Sequence, residues 1–348
     1  MKLLFKLLSL SLIVSTVENA YAQTIIKPIV ITDSVKHDTD DPAIWINPQN
    51  PSKSLIIGTD KNQDGALFVF DLQGKIQSEK VVRGLKRPNN VDIEYGLKIG
   101  GKKVDIAVTT ERMNHQLRIY SLPDMKPIDN GGIPMFEGET GTEFRDLMGI
   151  ALYKNPKGKI YAMVGRKNGP TTGGYIWQYE LSDNGKGQVK ATFIRKFGTY
   201  SGKKEIESIA VDDALGYVYY SDEGVGVRKY YAEPSKGDQE LALFATTGFS
   251  EDHEGISIYH TSARKGYILV SDQGANQFHI FPREGSAKNP HEHPELKVVK
   301  VEAKQSDGSD VTAVPLNKTF KKGLFVVMSD DKTFHFYRWE DIAGKDLK

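Results

Sequence analysis

The chain has 348 residues, a formal net charge of +1 and no cysteine. The balanced charge provides no global field that would attract nucleic acid. The lack of cysteine excludes disulfides, thiol catalysis and attachment of a lipid to an N-terminal cysteine. With 33 glycines, 16 tyrosines and 15 phenylalanines, many short β-branched or aromatic runs are split by Gly, Asn and Asp, which predicts an all-β chain.

Residues 1–22 have the features of a secretory signal peptide. Lys2 and Lys6 lie at the start of a short apolar run, and a small-x-small pattern ends at Ala22. We predict cleavage after Ala22 and export to the periplasm or the medium. A transmembrane anchor is the alternative, but the run is too short to span a bilayer. Removal of the leader takes away a net charge of +1, so residues 23–348 have a formal net charge of 0.

One pattern recurs six times in the rest of the chain. Each unit has a polar residue, a short apolar strand, a turn, a second strand that ends in a small residue and a charge, and an aromatic third strand. The units begin at Asp41–Trp45, Asn90–Glu94, Met148–Leu152, Glu207–Val211, Glu254–Ile258 and Asp307–Val311. Units of about 50 residues are typical of four-stranded propeller blades.

The repeats predict one domain over residues 23–348, a six-bladed β-propeller. The chain ends soon after the third strand of the last blade, so we expect Ile25 to Thr32 to supply the missing strand and to close the ring. A two-sheet sandwich is the alternative, but it does not explain six matched units.

Carboxylates recur where the first strands begin, and in a propeller these strands line the central channel. Four units contribute Asp41, Glu207, Glu254 and Asp307, with Asp40, Asp252 and Asp310 beside them. Clustered carboxylates repel one another unless cations lie between them, and hard oxygen ligands on irregular loops suit Ca²⁺. For any single residue, capping a turn or pairing with a base remains an alternative.

A second set of charges follows the second strands and is predicted to reach the same face. It comprises Lys61, Arg112 and Lys167 on the first three blades, and Glu223, Gln273 and Asp331 on the last three. Converging Arg and Lys side chains are typical phosphate ligands, although solvated surface charges are the alternative. The pattern predicts metal and phosphate binding on opposite sides of one channel mouth.

Covalent catalysis finds little support in the sequence. There is no Gly-x-Ser-x-Gly motif and no Arg-His-Gly cluster. His291-Glu292-His293 lies in a proline-flanked segment that favours a solvated turn over a zinc site. Asp60 to Gly65 resembles a calcium loop only weakly, because the distal Glu is absent.

Four segments resemble the β-propeller phytases: Asp40 to Trp45, Asn89 to Ile93, Asp252 to Gly255 and Ser271 to Gly274. The resemblance runs from about residue 25 to 342. It implies a calcium-dependent 3-phytase that hydrolyses phytate (myo-inositol hexakisphosphate), as its calcium complex, to lower inositol phosphates and inorganic phosphate. In that family a water held by calcium ions attacks phosphorus directly. We also expect a monomer.

The resemblance also implies roles for individual residues. Asp41, Glu207, Asp252 and Glu254 correspond to ligands of the catalytic calcium cluster, with Asp40 and Asp307 as adjoining ligands. Lys61, Arg112 and Lys167 correspond to phosphate ligands, with Glu223 and Gln273 in the same cleft. Met148 is a departure, because the family often has a calcium-associated Tyr there and a thioether is a poor calcium ligand. Ser208 stands where Gly is common.

Two other functions are compatible with a calcium-stabilised propeller. A lactonase or phosphotriesterase would favour one buried metal and an apolar entrance, which the Lys61, Arg112 and Lys167 group disfavours. A non-catalytic binding propeller would use calcium only for stability.

Overall fold

A computed structural model describes residues 24–348. These residues form six mainly antiparallel sheets around a central channel, which confirms the predicted six-bladed β-propeller. The predicted signal peptide, residues 1–22, lies outside the described residues. Between residues 24 and 348, no helix is both long enough and apolar enough to cross a membrane.

The strands follow the chain blade by blade. Two short strands precede the first blade: β1 (Ile25–Ile26) and β2 (Val30–Ile31). Blade one contains β3 (Thr39–Trp45), β4 (Leu55–Asp60), β5 (Gly65–Phe70) and β6 (Val82–Leu85). Blade two contains β7 (Pro88–Ile99), β8 (Lys102–Glu111), β9 (Gln116–Leu122), β10 (Lys126–Pro127) and β11 (Ile133–Pro134). Blade three contains β12 (Leu147–Lys154), β13 (Ile160–Arg166), β14 (Ile176–Asp183) and β15 (Val189–Phe197).

The second half of the ring has the same organisation. Blade four contains β16 (Ile209–Asp212), β17 (Tyr217–Asp222), β18 (Gly226–Tyr231) and β19 (Ala242–Phe244). Blade five contains β20 (His253–His260), β21 (Gly266–Asp272), β22 (Gln277–Pro282) and β23 (Lys297–Val301). Blade six contains β24 (Ser309–Thr312), β25 (Leu324–Ser329) and β26 (Thr333–Arg338). One short α-helix, α1 (Trp339–Ala343), follows, and single turns of 3-10 helix lie at Pro51–Lys53, Ser78–Lys80, Arg112–Asn114, Thr142–Phe144, Pro234–Lys236 and Gln273–Ala275.

The N-terminal segment closes the ring in two steps. As predicted, β2 supplies the fourth strand of blade six, and it pairs antiparallel with β26. The prediction of one continuous strand from Ile25 to Thr32 is wrong, because β1 pairs in parallel with β23 of blade five. Pro28 lies between β1 and β2, and proline has no N–H to continue a ladder. The segment therefore joins both of the last two blades.

The hydrophobic core lies between neighbouring blades. In the cluster between blades one and two, Trp45, Ile57 and Leu67 pack with Ala107 and Tyr120. Each of the six blade-to-blade interfaces contains such a cluster. Because both faces of a blade are covered, strands such as β4 and β25 are buried at every residue and lack an alternating pattern.

Neighbouring innermost strands contact one another around the channel without forming a β-ladder. Side-chain oxygens instead accept backbone N–H groups of the next blade. These hydrogen bonds join Asp310 to Ile44 (2.8 Å), Asp41 to Val91 (3.0 Å), Asp92 to Leu152 (2.6 Å) and Ser208 to Ile256 (2.8 Å). The channel carboxylates therefore have a structural role in holding the blades together.

We expect Asp92 to make stability depend on pH. Burial raises the pKa of Asp92 to about 8, although N–H groups of Leu152 and Ile93 oppose this shift. The folded state then binds a proton that the unfolded state releases, so the free energy of unfolding falls as pH rises from about 4 to about 8. Asp92→Asn removes this contribution and flattens the fall.

Urea unfolding in a chelating buffer at pH 5.5, 6.5 and 7.5 measures the effect. Asp124→Asn, at an exposed turn, serves as the control. Parallel pH curves for the wild type and Asp92→Asn would contradict the prediction.

Candidate active site

A β-bulge interrupts the start of four innermost strands. The register shifts between Thr39 and Pro42 in β3, Pro88 and Val91 in β7, Leu147 and Ile150 in β12, and His253 and Ile256 in β20. In β16 and β24 the ladder begins after the corresponding residues. A bulge leaves side chains outside the regular alternation, and here it directs them to the channel mouth.

The register corrects the alignment of the repeats. In blades one and two, Asp40 and Asn89, rather than Asp41 and Asn90, occupy the position of Glu254. The sequence left the alignment ambiguous, because Asp40-Asp41 and Asn89-Asn90 are doublets of one residue type. Residue identity therefore does not distinguish two registers that differ by one residue. We call this position the first bulge position in all six blades, including the two without a bulge; its residues are Asp40, Asn89, Met148, Glu207, Glu254 and Asp307.

In blade six, the alignment of the charges that follow the second strands is also shifted by one residue. Ser329, the last residue of β25, occupies the position of Asp222 in blade four, so Asp330 rather than Asp331 corresponds to Glu223. Asp331 instead accepts a hydrogen bond from Thr333.

Carboxylates at the ends of second strands hold the loops that enter the site. Asp60 accepts the N–H groups of His37 and Asp38, both at 2.8 Å. Three further carboxylates accept N–H groups in the same way: Glu111 from Lys86, Asp222 from Ser201 and Asp272 from Ser250. In each of these blades, the residue that follows the anchoring carboxylate in the chain is the one that extends to the mouth. The sequence pattern contained these acids, but we did not recognise them as anchors.

Three glutamates form the centre of the mouth. Glu207, Glu223 and Glu254 each offer an oxygen within 4.8 Å of the others, and all three are buried. Within residues 24–348, neither Glu223 Oε1 nor Glu254 Oε2 has a hydrogen-bond partner. Burial and the neighbouring carboxylates raise the pKa of Glu223 to about 8, and burial also raises the pKa values of Glu207 and Glu254. Hard oxygen atoms at this spacing suit a cation.

Lys61 lies among the acids. Its Nζ contacts Asp40 Oδ1 and donates to Asp307 Oδ2 at 3.2 Å, and Gln273 Nε2 donates to Asp307 Oδ1 at 2.5 Å. Burial opposes the charge on Lys61, but the carboxylates of Asp40, Glu207 and Asp307 raise its pKa. The prediction of separate cationic and anionic halves is therefore wrong at Lys61.

Arg112 is buried without a carboxylate partner among the described residues. Its Nε donates to the carbonyl oxygen of Leu147 at 3.2 Å, and one terminal nitrogen contacts the sulfur of Met148. Burial lowers the pKa of Arg112, and Glu207 opposes this shift. Met148 thus touches a predicted phosphate ligand.

Two ion pairs involve the segment before β16. Lys204, which we did not identify from the sequence, donates to both oxygens of Asp252 at 2.5 and 2.7 Å. Lys167 pairs with Glu205 at 2.7 Å, and its side chain is 46% exposed. The structure thus brings blades three, four and five together at this side of the mouth.

Asp41 lies in the channel and not in the glutamate cluster. Its Oδ2 accepts the N–H of Val91, and its Oδ1 packs so closely on Gly308 that a β-carbon there would lie 2.4 Å away. A cavity of about 170 Å³ adjoins it and is also lined by Asn90, Asp92 and Asp310.

The sequence profile described as Phytase matches residues 2–342. The chain belongs to the phytase family. A 3-phytase of Bacillus subtilis (strain 168) is 30% identical over 323 residues, which cover 87% of this chain and 80% of that protein.

Membership of the phytase family confirms the resemblance found in the sequence. The match extends over all six blades, so it includes the mouth residues of every repeat. Seven of the predicted residues meet at the mouth: Asp40, Lys61, Glu207, Glu223, Glu254, Gln273 and Asp307. Arg112 contacts Met148, and Asp41 lies in the channel. Asp252 pairs with Lys204, and Lys167 pairs with Glu205. Their individual roles in a phytase stay predictions.

Proposed function

We propose that this protein is a 3-phytase, a phosphoric monoester hydrolase that releases inorganic phosphate from phytate and leaves lower inositol phosphates. The glutamate cluster beside Lys61 is the observation that carries the proposal. Oxygen ligands for a cation and a half-buried ammonium for phosphate lie at the same mouth. Family membership and the Bacillus subtilis relative support the same reaction.

Calcium fits the donors at the mouth. The cluster offers carboxylate oxygens only, and buried oxygens of Glu223 and Glu254 lack partners among the described residues. Ca²⁺ accepts six to eight oxygen ligands in flexible geometry. We propose that the ions are held by Glu207, Glu223 and Glu254, with Asp40, Asp252 and Asp307 as further ligands, while Asp41 lies in the channel outside this set.

Each part of the site has a defined task in the proposed reaction. The chemistry that calcium would supply when held by these carboxylates is a lowered pKa of a coordinated water and an offset of the negative charge of the phosphates. The carboxylates of Glu207, Glu223 and Glu254 would hold the cation beside the reacting phosphate. Lys61 and Arg112 orient the phosphate through charge-assisted hydrogen bonds, and the more exposed Lys167 contacts a neighbouring phosphate of the same ring.

Phosphate release from phytate, with and without a chelator, tests the proposed function. We expect chelation to abolish release and added Ca²⁺ to restore it, with product isomers showing which phosphate leaves first. Release of phosphate in the presence of the chelator would contradict the assignment of calcium. Binding of phytate without any release would instead identify a non-catalytic propeller, and preferential hydrolysis of a lactone or phosphotriester would identify the other enzyme class.

Arg112→Ala is expected to raise the KM for phytate more than it lowers kcat. The guanidinium has no carboxylate partner in the described chain, so its free donors are available to a phosphate. Loss of charge-assisted hydrogen bonds corresponds to roughly a tenfold or larger increase in KM. Arg112→Lys keeps the charge without the forked donors and should be intermediate.

Steady-state kinetics at saturating Ca²⁺ measure the Arg112 effect. Arg83→Ala, at an exposed position of β6, is the control. An unchanged KM in Arg112→Ala would show that Arg112 supports the fold and not substrate binding.

We also propose that the protein is exported after cleavage behind Ala22 and acts as a monomer on calcium phytate. The basic, apolar and small-x-small features of residues 1–22 support export. Mass spectrometry of the protein from the periplasm and the medium would find a mature chain that begins at Gln23. Light scattering of the same material would measure its oligomeric state.

A further inference from the structure

Asn89 is the carboxamide among the six first bulge positions. It is fully buried, and its Nδ2 donates to Asp40 Oδ2 at 3.1 Å and to Glu207 Oε1 at 2.9 Å. Asp40 belongs to blade one and Glu207 precedes blade four, so one amide joins carboxylates from opposite sides of the ring. The Asn89 amide therefore links two blades that face each other across the mouth.

The orientation of the Asn89 amide follows from its neighbours. Carboxylate oxygens accept hydrogen bonds, so the NH₂ group must face Asp40 and Glu207. The oxygen, Oδ1, therefore points elsewhere. It is buried, and no group of the described chain donates a hydrogen bond to it. A buried amide oxygen left in this way needs a donor or a cation.

The same oxygen lies close to one carboxylate of the cluster, that of Glu207. The oxygen and nitrogen of an amide are about 2.2 Å apart, so Asn89 Oδ1 is within about 5 Å of Glu207 Oε1. Two oxygen ligands on opposite sides of one Ca²⁺ ion are also separated by about 5 Å. Asn carbonyl oxygens are ordinary calcium ligands.

We infer that Asn89 Oδ1 is a neutral ligand of the metal cluster, while Asn89 Nδ2 positions Asp40 and Glu207. The inference rests on the calcium site of the proposed function. The hydrogen bonds from Nδ2 direct one oxygen of each carboxylate and offset part of their repulsion. A neutral oxygen adds coordination without adding to an already crowded negative charge.

Terbium luminescence tests the coordination directly, because Tb³⁺ takes oxygen ligands and its lifetimes in H₂O and D₂O count bound water. At saturation we expect Asn89→Ala to gain one water ligand, summed over the bound ions, and to bind terbium at least about tenfold more weakly. Asn89→Asp keeps an oxygen and should keep the wild-type water count, although it loses the donated hydrogen bonds.

Asn155→Ala is the matched control. Asn155 is also a buried amide that donates to a carboxylate, Glu233 at 3.1 Å, but it follows the far end of β12. It should retain the wild-type water count and affinity. If Asn89→Ala retains both and loses only thermal stability in chelator, Asn89 is structural and the inference is overturned. If the wild type binds neither terbium nor calcium, the proposed calcium site itself fails.

Discussion

Replacing Glu254 or Glu207 with Gln is expected to lower the rate of phosphate release from phytate by on the order of a thousandfold. Glutamine preserves the shape of each side chain but removes one negative charge from the cluster. Both glutamates are buried, and each offers an oxygen within 4.8 Å of Glu223. In the proposed site these charges hold the cation, so we expect either variant to lose cation affinity and the nucleophile that the cation would supply.

The measurement combines kinetics with calcium titration. We expect kcat to fall and the calorimetric affinity for Ca²⁺ to weaken, while circular dichroism shows an unchanged β fold. Glu180→Gln, in β14 and paired with Lys159 on the outside of blade three, is a matched control with wild-type activity. More than a tenth of the wild-type rate in both single variants would show that the cluster is not catalytic.

Lys61→Met is expected to destabilise the calcium-free protein by about 3 kcal/mol. The Lys61 ammonium contacts Asp40 and Asp307, and the side chain of Asp40 is only 1% exposed. Removal of the ammonium leaves a buried carboxylate without its counter-charge. Bound Ca²⁺ restores a positive charge there, so the difference between variant and wild type should narrow when calcium is added.

Urea unfolding with chelator and with Ca²⁺ measures both parts of the Lys61 effect. Lys36→Met, which breaks an exposed pair with Asp64, should behave like the wild type in either buffer. A higher KM for phytate together with an unchanged free energy of unfolding would contradict the prediction and indicate that Lys61 acts only as a phosphate ligand.

The fold was predictable because its information is local and repeated. Each blade carries its own pattern of strands and turns, so six weak signals support one architecture. The closing strand was only partly predictable. The pairing of β1 with β23 depends on where the segment around Pro28 reaches after the ring has formed.

The residue types of the site were also visible in the sequence. Acids at the starts of first strands and charges after second strands do meet at one mouth, as for Glu207 and Glu223. The pairings among them were not visible. Asp252 meets Lys204, and Lys61 inserts between Asp40 and Asp307, because these contacts depend on how neighbouring blades pack.

The sequence by itself determined the six-bladed architecture, the phytase family and the chemical types at the mouth, since these depend on repeated local patterns. Only the tertiary structure decided that Asp40 and not Asp41 lies at the mouth, and that Asn89 links Asp40 to Glu207. The physical reason is the β-bulge. One extra residue changes which side chain faces the mouth, and ring closure then joins residues that are far apart in the chain.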